Sequence, residues 1–393
     1  MKVKSIRQLK KFQGKKVLLR VDFNVSLGAN HRVDKAEDYR IVKTLPTIKF
    51  LTSRGARVII MAHLGRPHGK IVENLRLKPV AEKLSELLKK KVLYSKTVLG
   101  AETKQLIKQM KAGDVLMLEN LRFDIREERG DKNFARQLAE LGDIYINEAF
   151  ADNHRHHAST AIIQDYLPAY AGLLLEQEIL NLTKVLKKPK QPLVVIIGGT
   201  KMETKIRVIK NFSKVAKKIL LGGALANTVL HVMGVSVGRS PVEKSMFSEV
   251  KKFKLTANQI VVPLDGVMAA KIDSQKGRMD ALADVRDNEL ILDVGPDTIK
   301  LYEKIIKSAK MVMWNGPMGL IENPVFAKGT QALIKILANS CAETIVGGGE
   351  TVQMIRQMKL ENKFNFVSTG GGAMLEFLEG KKLPGLKKLI KNL

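Results

Sequence analysis

The stretch Leu193-Val-Val-Ile-Ile-Gly-Gly-Thr-Lys201 decides the fold class of this chain. Its five apolar residues predict a buried strand, and the two glycines that follow predict a tight loop at the strand's carboxyl end. The same order of apolar strand, glycine loop and helical pattern returns several times in the second half. Continuous apolar strands separated by helices are typical of a parallel sheet with helices on both faces. We therefore predict an α/β protein.

Apolar runs of this kind extend through both halves of the chain. In the first half, the predicted strands are Lys16–Val21, Val58–Ala62, Val115–Leu118 and Ile144–Asn147. In the second half, they are Leu193–Ile197, Ile219–Leu221, Ile260–Val262, Leu290–Asp293, Met311–Trp314, Thr344–Val346 and Phe364–Val367. The predicted helices between them include Leu77–Lys90, Ala101–Met110, Asn133–Leu141 and Thr298–Lys310. A chain of 393 residues exceeds a typical single core, so each half is expected to form its own sheet.

The boundary between the halves is predicted from a long helical segment. Residues 173–186 have helical periodicity with no interior glycine or proline, and the tail Lys187-Lys-Pro-Lys-Gln-Pro192 ends it. We predict an N-terminal lobe over 1–172, a connecting helix over 173–188, a C-terminal lobe over 189–375 and a separate C-terminal segment over 376–393. The amphipathic end, Leu386–Leu393, is expected to pack against one lobe, but its pattern does not say which.

The formal charge of +28 is the most unusual feature of the composition. A nucleic-acid partner is one explanation. The lysines, however, are spread along the whole chain, and only 5% of the residues are aromatic and able to stack on bases. The favoured interpretation is a solvated basic surface that attracts small anionic substrates. A nucleic-acid-binding protein remains the alternative.

Other features of the composition indicate a cytoplasmic protein. No stretch approaches the roughly 18 apolar residues that a membrane span needs. The N-terminal Met1-Lys-Val-Lys-Ser5 lacks the apolar core of a signal peptide. The single cysteine, Cys341, lies in an apolar helical stretch and is expected to pack in the core. A reducing cytosol fits this cysteine usage.

Glycine-rich loops follow six of the predicted strands in the second half. They are Gly198-Gly199, Gly222-Gly223, Gly295, Gly316 to Gly319, Gly347 to Gly349 and Gly370 to Gly372. Glycine lets backbone N–H groups approach a phosphate, and open α/β sheets bind ligands at this edge. Loop geometry alone also calls for glycine, so one such loop is weak evidence while six are stronger. Neither the P-loop motif nor the dinucleotide fingerprint is present.

Charged residues accompany these loops. Lys201 and Lys205 are predicted on one helix face, where an anion would explain cations near a helix start. Carboxylates at comparable strand ends could hold Mg²⁺ or bond a ribose, and they are Asp265, Asp293, Glu322 and Glu350. For Asp293 and Glu350, capping or first-turn charge is the simpler explanation.

Arginines are concentrated at strand ends or a helix start in the first half. They are Arg20, Arg40, Arg66, Arg122 and Arg155, and arginine binds carboxylate and phosphate with two parallel hydrogen bonds. Their shared position predicts one basic pocket, in which Asp22 and Asn24 could bond substrate hydroxyls. His154, His156 and His157 lack the acidic or cysteine partner of a zinc pattern, so a structural or anion-facing role is favoured.

Together these motifs resemble phosphoglycerate kinases, in order and over essentially the whole chain. In the first half, the resemblance is carried by Arg20-Val-Asp-Phe-Asn-Val25, Arg40-Ile-Val, Leu45-Pro-Thr-Ile48, His63-Leu-Gly-Arg-Pro67, Leu118-Glu-Asn-Leu-Arg-Phe123, His154-Arg155, His157-Ala-Ser159 and Ala171-Gly-Leu-Leu-Leu-Glu176. In the second half, it is carried by Gly198-Gly-Thr-Lys201, Lys205-Ile206, Asp293-Val-Gly-Pro296, Trp314-Asn-Gly-Pro-Met-Gly319, Gly347-Gly-Gly349 and Ser368-Thr-Gly-Gly-Gly-Ala373.

The resemblance implies two Rossmann-like lobes, each with a parallel sheet covered by helices, joined by a helix. The C-terminal segment would return to the N-terminal lobe. That lobe would bind 3-phosphoglycerate or 1,3-bisphosphoglycerate through Asp22, Asn24, Arg40, His63, Arg66, Arg122 and Arg155. The C-terminal lobe would bind ADP or ATP with Mg²⁺ through Gly199, Lys201, Lys205, Gly222, Gly223, Asn315, Pro317, Gly319, Glu322, Gly348, Gly349, Glu350 and Thr351. The catalytic residues would be Arg40, Lys201, Gly371 and Gly372, and Glu350 would serve the metal.

Several positions depart from the usual family pattern. Glu350 stands where the family mostly has Asp, which puts the metal geometry in question but not its charge. The stretch Glu148-Ala-Phe-Ala-Asp-Asn-His154 replaces the usual Asp-Ala-Phe-Gly-Thr-Ala-His. Ala62 stands where Ser is usual, and Ala224 replaces a third glycine. None of these changes removes a catalytic group.

The implied activity is a phosphotransferase reaction with a carboxyl group as acceptor, in glycolysis and gluconeogenesis. A phosphoryl group would pass reversibly from 1,3-bisphosphoglycerate to MgADP, which gives 3-phosphoglycerate and ATP. The lobes of a monomer would close on a hinge at Thr369 and the connector over Leu173–Leu186. Besides nucleic-acid binding, the other alternative is a nucleotide-binding α/β enzyme that has lost this activity, although both ligand sets are intact.

Overall fold

The computed structural model describes residues 2–34, 38–252 and 259–391. Contacts divide the chain into two compact units. The first comprises Met1–Leu180 together with Lys381–Leu393, and the second comprises Asn181–Gly380. No helix within the described residues is long and apolar enough to cross a membrane.

The first unit is built on a six-stranded sheet. Before the connecting helix, the strands of the first unit are β1 (Lys2–Val3), β2 (Lys16–Arg20), β3 (Arg57–Met61), β4 (Val92–Tyr94), β5 (Val115–Met117), β6 (Ile144–Asn147) and β7 (Ala169–Ala171). The order of the strands in the sheet is β4-β5-β3-β2-β6-β7, and all neighbours run parallel. The helices are α1 (Tyr39–Thr52), α2 (Lys78–Leu88), α3 (Ala101–Gln109), α4 (Ile125–Glu128) and α5 (Lys132–Ala139), and α6 (Leu173–Lys187) begins here.

The core of the first unit explains why these strands form. Four of the five residues in each of β2 and β3 are buried, as continuous apolar runs require when both sheet faces are covered. One buried cluster joins Val17 and Leu19 of β2 to Ile41 and Ile48 of α1. Helix α1 is not predictable from the chain's pattern because Pro46 lies inside it.

The second unit contains another six-stranded parallel sheet. The described strands of this unit are β8 (Leu193–Ile197), β9 (Lys218–Leu221), β10 (Ile260–Val261), β11 (Asp265–Ala269), β12 (Arg278–Ala281), β13 (Leu290–Val294), β14 (Met311–Asn315), β15 (Glu343–Gly347) and β16 (Phe366–Val367). The order of the strands in the six-stranded sheet is β10-β9-β8-β14-β15-β16. The helices of this unit are α7 (Ile206–Phe212), α8 (Gly223–Val232), α9 (Phe247–Lys252), α10 (Pro296–Lys307), α11 (Lys328–Ala338), α12 (Gly349–Gln357) and α13 (Gly372–Leu378). The predicted α/β class with two helix-covered parallel sheets is confirmed.

The strand over Leu290–Asp293 corrects the prediction of a purely parallel sheet. Strand β13 pairs antiparallel with β11, which also pairs antiparallel with β12, in a separate three-stranded sheet. No helix separates β11 from β12, so the chain can turn back as a hairpin rather than cross over. Apolar composition alone did not reveal this difference.

Cys341 and the C-terminal end of the chain were both expected to pack against the protein. Cys341 is exposed and lies beyond the end of α11 at Ala338, so the prediction of core packing is wrong. The amphipathic C-terminal end forms β17 (Ile390–Lys391), which pairs antiparallel with β1 of the first unit. Leu386 and Leu389 are fully buried, and this burial is why the segment packs.

Candidate functional site

The first unit brings its arginines together because its central strands end at one edge. Arg20, the last residue of β2, is in register with Met61 of β3 and with Asn147 of β6. The three strands are parallel, so the segments that follow them leave the sheet on the same side. The segment after β5, which pairs parallel with β3, leaves the sheet on this side too, and Arg40 lies near the start of α1. Together these parts of the chain supply the residues of what we call the basic edge: Asp22, Asn24, Arg40, His63, Arg66, Arg122, Asp152 and Arg155.

Arg40, near the start of α1, joins the segment that follows β2. Its Nη1 donates to Asp22 Oδ1 at 3.1 Å and to the Asn24 carbonyl at 3.0 Å, and lies 2.9 Å from Asp22 Oδ2. Asn24 Oδ1 accepts from the Gly65 N–H at 2.9 Å, which ties this segment to the one after β3. About a third of the Arg40 side chain remains exposed, so it can still meet a ligand.

Arg122 is the most informative side chain of the basic edge. It is 2% exposed, and its Nη1 donates to the Gly65 carbonyl at 2.8 Å. Its Nε and Nη2 make no hydrogen bond with any residue that the structure describes. Nε lies 3.4 Å from Glu128 Oε1 and Nη2 lies 3.9 Å from Asp152 Oδ1, so both have a charged neighbour but no hydrogen bond. Buried donors are nearly always hydrogen-bonded in proteins, so two donors without a hydrogen bond on one guanidinium indicate a place for an anionic ligand.

His63 lies beside these arginines and is also buried. Desolvation lowers the pKa of His63 well below its ordinary value, and the charges of Arg20, Arg122 and Arg155 lower it further. The ring is therefore neutral near pH 7. Two groups approach Nδ1 of the ring: Arg20 Nη2 at 3.3 Å, which can only donate a hydrogen bond, and the Asp152 carboxylate at 3.4 Å, which can only accept one.

Arg20 itself does not face the predicted pocket, which corrects the sequence analysis. It is completely buried, and its donors go to protein acceptors: Nε to Ser159 Oγ at 2.8 Å, Nη1 to the Val21 carbonyl, and Nη2 to Asp152 Oδ2 at 3.0 Å. Its position at the end of β2 made it look equivalent to the other arginines. The partner that distinguishes it, Asp152, lies 132 residues away in the chain.

The remaining residues of this set lie at the same edge but are more exposed. Arg66 is exposed and makes no hydrogen bond or ion pair with a described residue. Arg155 is partly buried, and its Nε donates to His154 Nε2 at 3.4 Å. His157 lies 3.9 Å from Glu127, and burial lowers its pKa to about 4. His154 and His157 thus contact protein groups beside the arginines, whereas His156 is exposed. Among the described residues, the one group of potential metal ligands contains none of these three histidines.

Asp22, His63 and Asp152 do place three potential metal ligands within 4.8 Å of one another. Arg40 pairs with Asp22 and Arg20 pairs with Asp152, so each carboxylate already has a positive partner. Arg122 and Arg155 add further positive charge. The electrostatics of this edge favour an anion over a cation.

In the second unit, the glycine loops also meet at one sheet edge. Asn315 at the end of β14 is in register with Ile197 of β8 and Gly347 of β15. The loops contact one another through their backbones: the Gly199 N–H donates to the Pro317 carbonyl, and the Gly223 N–H donates to the Met318 carbonyl, both at 2.8 Å. Gly223 has φ +62°, and a Cβ there would lie 2.7 Å from Gly199 N. Glycine is therefore required at Gly223 by close packing as well as by its conformation.

A pocket of about 210 Å³ opens among these loops, and its lining is largely apolar. Of the predicted nucleotide residues, it is lined by Gly199, Gly223, Pro317, Gly319, Glu322 and Glu350. Leu230, Leu282 and Leu292 supply apolar walls, to which a flat aromatic base could bind. The exposed carboxylates of Glu322 and Glu350 are the polar groups among these predicted residues.

Lys205 lies beside this pocket, against the loops after β8 and β14. It is 7% exposed, and its Nζ donates to the Gly198 carbonyl. A Cβ on Gly316 would lie 3.0 Å from the same Nζ. Burial lowers the pKa of Lys205 to about 8, although Glu350 opposes that shift. A buried ammonium at glycine loops is well placed to bind a phosphate.

The prediction that Lys201 and Lys205 share a helix face is wrong. Helix α7 begins at Ile206, so Lys201 lies in the preceding turn and Lys205 flanks the helix start. Glu243 stabilises that turn, because its carboxylate accepts from the N–H groups of Met202 at 2.7 Å and Glu203 at 3.2 Å. Lys201 is exposed and available to a ligand.

Other predicted residues surround the ends of β14 and β15 without lining the pocket. Asn315 is buried, and a Cβ on Gly348 would lie 3.4 Å from its Nδ2. Thr351 is fully buried in α12, and its Oγ1 has no hydrogen-bond partner among the described residues. The positions that complete this group are Lys201, Gly222, Gly349, Gly371 and Gly372. A Cβ at Gly349, Gly371 or Gly372 would have no neighbouring atom within 4 Å, so the side-chain side of these three residues is open.

The carboxylates considered for a metal separate into two groups. Asp265 accepts from the N–H groups of Asp297 and Thr298 at the start of α10, and Asp293 accepts from Gly329 N–H at 2.7 Å at the start of α11. Burial raises the pKa of Asp293 to about 7. These two are occupied as structural acceptors. Glu322 and Glu350 remain exposed at the pocket, and only they are free to serve a ligand there.

Two buried carboxylates of the first unit were not among the predicted site residues. Asp152 lies inside the basic edge and pairs with Arg20. Glu127 accepts from Ser159 N–H at 2.9 Å and from Ser159 Oγ at 2.6 Å, and Ser159 Oγ in turn accepts from Arg20 Nε. The signal that could have found Asp152 is its position in the stretch that departs from the family pattern.

Comparison with known proteins agrees with this geometry. The family model described as phosphoglycerate kinase matches residues 6–381. A curated relative named phosphoglycerate kinase from Borrelia garinii subsp. bavariensis is 43% identical over 397 residues and covers 100% of both chains. Another of that name from Herpetosiphon aurantiacus is 46% identical over 383 residues, with 96% of this chain and 97% of the relative covered.

Solved structures show the same relationship. The phosphoglycerate kinase from Coxiella burnetii has a TM-score of 0.85 at 36% identity, and the match covers 99% of each chain. The enzyme from Pyrococcus horikoshii OT3 has the same TM-score at 32% identity and 97% coverage of each chain. Since the family model spans nearly the whole chain and these relatives match it from end to end, this chain belongs to the phosphoglycerate kinase family of enzymes.

Proposed function

We propose that this protein transfers a phosphoryl group reversibly from 1,3-bisphosphoglycerate to ADP with Mg²⁺, which gives 3-phosphoglycerate and ATP. The observation that carries the proposal is Arg122, which is buried at the basic edge with two guanidinium nitrogens that make no hydrogen bond to a described residue. A small phosphorylated acid offers the anionic oxygens that such an arginine requires. Family membership supports this choice of ligand.

The two ligands are assigned to different lobes. In this proposal, residues 1–172 form the phosphoglycerate-binding lobe, 173–188 the connecting helix and 189–375 the nucleotide-binding lobe. The segment over 376–393 returns to the N-terminal lobe, and the pairing of β17 with β1 supports that assignment.

The phosphoglycerate contacts divide by chemistry. Arg66, Arg122 and Arg155 bind its phosphate and carboxylate oxygens, and the neutral ring of His63 adds a polar contact. Asp22 and Asn24 bind hydroxyls. Arg40 lies nearest to the start of α1 and is partly exposed, so it can neutralise the group in transfer.

The nucleotide-binding residues differ in the part of the nucleotide that they contact. The apolar pocket takes the base, and Glu322 at its wall bonds the ribose. The backbone at Gly199, Gly222, Gly223, Pro317, Gly319, Gly348 and Gly349 allows close approach of ligand atoms, with Asn315 and Thr351 as neighbouring polar groups. Proline has no N–H, so Pro317 contributes shape alone. Lys201 and Lys205 bind the phosphates.

Glu350 fits a magnesium site. Mg²⁺ prefers oxygen ligands and is usually held by one or two carboxylates together with substrate phosphates and water. Glu350 is exposed at the wall of the nucleotide pocket and carries that charge, although its side chain is one methylene longer than Asp. When bound, the ion would neutralise charge on the nucleotide phosphates.

The chain's own residues supply positioning and charge. The acceptor is already an anionic oxygen of ADP or of the carboxylate, so no general base is needed. Arg40 and Lys201 neutralise the equatorial oxygens of the transferring group, and the N–H groups at Gly371 and Gly372 donate to it. Because the reactants are held by different lobes, the lobes must close to place them in line and exclude water. Thr369 and helix α6 are the proposed hinges.

The proposal also includes a cellular setting. Phosphoryl transfer between 1,3-bisphosphoglycerate and ADP is a step of glycolysis and gluconeogenesis. We propose that the protein catalyses it in the cytoplasm, as a monomer. The net charge of +28 is assigned to attraction of anionic substrates, with no nucleic-acid partner.

A coupled assay on the purified protein tests the proposal. ATP-dependent turnover of 3-phosphoglycerate with Mg²⁺ is expected in the wild type. Arg40→Ala and Lys201→Ala should each lower kcat by orders of magnitude, about 10²-fold or more, because each removes charge that stabilises the transferring group. No turnover by the wild type would refute the function, and near-normal rates in a variant would refute the role of that residue.

A further inference from the structure

The basic edge contains a second buried carboxylate besides Asp22, in a place where most of the charged groups are positive. Asp152 is 3% exposed and ends the short 3₁₀ helix Phe150–Asp152. Its Oδ2 accepts from Arg20 Nη2 at 3.0 Å and lies 3.4 Å from His63 Nδ1. Its Oδ1 lies 3.9 Å from Arg122 Nη2. One buried carboxylate therefore contacts both the structural arginine and two residues of the proposed substrate site.

The contacts of Asp152 give it two separate effects. Arg20 Nη2 lies within hydrogen-bond distance of Asp152 Oδ2 and of His63 Nδ1, and Asp152 Oδ2 lies 3.4 Å from the same ring nitrogen, so Asp152 and Arg20 together fix the position of the His63 ring. The second effect is electrostatic, since the carboxylate attracts Arg122 without using either of its unpaired donors in a hydrogen bond. Arg122 is thus restrained while those donors stay available.

We propose that Asp152 is a positioning residue for 3-phosphoglycerate, acting through Arg20, His63 and Arg122 rather than on the substrate. This inference rests on the proposed function. Asp152 keeps the ring of His63 and the guanidinium of Arg122 oriented before the ligand arrives. Preorganised donors cost less to order on binding, and small displacements of positioning groups can weaken function up to about 10²-fold.

The charge of Asp152 makes the expected effect distinctive. If the carboxylate were only a negative charge near the substrate, its removal would strengthen the binding of an anion. If it positions the donors, its removal weakens that binding despite the gain of positive charge. The direction of the change therefore separates the two roles.

The test is the steady-state kinetics of Asp152→Asn, which keeps the size of the side chain and removes its charge. We expect the KM for 3-phosphoglycerate to rise about tenfold, while the KM for ATP changes less than about twofold, because the nucleotide residues lie in the other unit. Asp165→Asn is the matched control. Asp165 is half exposed and pairs with Lys388 at 2.7 Å, so the same substitution there removes an ion pair outside the basic edge and should leave both constants unchanged.

A second variant and a binding measurement complete the test. Asp152→Thr keeps an oxygen that can accept from Arg20, and it covers the case in which Asp152→Asn does not fold. Calorimetric titration with 3-phosphoglycerate should show the same loss of affinity in whichever variant folds.

An unchanged or lower KM for 3-phosphoglycerate would overturn the positioning role of Asp152. Unfolding of both variants would also overturn it, because Asp152 would then contribute to stability alone. A wild type without turnover refutes the proposed function instead, whereas an active wild type with an unaffected Asp152→Asn refutes only this inference.

Discussion

At the scale of single residues, burial decides which charged groups are free to act. Arg20 and Arg122 are both buried arginines of the first unit, yet the donors of Arg20 are satisfied by protein acceptors and two nitrogens of Arg122 are not. Lys205 is a buried lysine against carbonyl and glycine backbone. The free energy of an ionic contact with a ligand is larger in such places because little water screens it.

The pKa of Lys205 gives a prediction for nucleotide binding. Its pKa is about 8, below the usual value, so the ammonium form is present below pH 8 and is lost as the pH rises through that value. A phosphate binds the protonated form better, so the affinity for ADP should fall by up to about tenfold per pH unit above pH 8. Calorimetric titration from pH 7 to pH 9.5 measures this fall.

The matched variant for this prediction is Lys205→Met, which keeps an unbranched side chain of similar length without a charge. Its affinity for ADP should be lower at pH 7 and should no longer change between pH 8 and pH 9.5. The same steep fall in both proteins would assign the titration to a different group.

Arg122 gives a second prediction at this scale. Lysine retains the positive charge but not the planar fork, so Arg122→Lys should raise the KM for 3-phosphoglycerate by about tenfold or more, with little change in the KM for ATP. Initial-rate kinetics with each substrate varied in turn are the measurement. Equal effects on both KM values would show that Arg122 supports the fold rather than the ligand.

At the scale of elements, parallel strands bring distant segments together at their carboxyl ends. Much of this could be predicted from the sequence, because Leu193–Ile197 and the similar apolar runs identify the buried strands and the glycines identify the loops after them. The antiparallel pairing of Leu290–Val294 could not, because a continuous apolar run looks the same in either kind of sheet. Helix α1 could not be predicted either, because Pro46 interrupts its helical pattern. The position of Asp152 beside Arg20 depends on a contact between residues 132 positions apart in the sequence.

The contact between two glycine loops gives a prediction at this scale. In Gly223→Ala, the Cβ would lie 2.7 Å from Gly199 N, so the loops after β8 and β9 would have to separate. The affinity for ADP should fall by about tenfold or more, as expected when groups that hold a ligand are displaced. Gly234→Ala is the control, because Gly234 also has a positive φ, +85°, but nothing within 4 Å of a Cβ.

Calorimetry with ADP compares the two alanine variants. Both carry the strain of a positive φ, so a difference between them reports the contact between the loops. Equal affinities in Gly223→Ala and Gly234→Ala would show that the close approach of Gly199 and Gly223 does not shape the nucleotide site.

At the scale of the whole molecule, the C-terminal segment belongs to the first unit although the second unit precedes it in the chain. Gly385 N–H donates to the Asn153 carbonyl at 3.0 Å, and the Gly385 carbonyl accepts from Asn147 Nδ2 at 3.1 Å. Asn153 follows Asp152 directly in the sequence. The C-terminal segment therefore packs beside the short helix that carries Asp152 of the basic edge. The first unit is therefore not continuous in sequence.

This organisation predicts that the end of the chain stabilises the first unit. Leu386 is fully buried, so Leu386→Ala should lower the free energy of unfolding by roughly 2–5 kcal/mol, the usual cost of truncating a core leucine. Denaturant unfolding monitors the change. Leu180→Ala is the control, because Leu180 is about half exposed and its truncation should cost far less. Equal losses would argue against tight packing of the segment.

The central claim is that the phosphoryl group of ATP reaches the carboxyl group of 3-phosphoglycerate, and chemical trapping tests it most directly. Hydroxylamine converts an acyl phosphate into a stable hydroxamate, so the purified wild type should form hydroxamate in step with ADP. Formation should require 3-phosphoglycerate, ATP and Mg²⁺ together, and Arg40→Ala should nearly abolish it. Release of ADP without hydroxamate, or no reaction at all with the three components present, would contradict the proposed function.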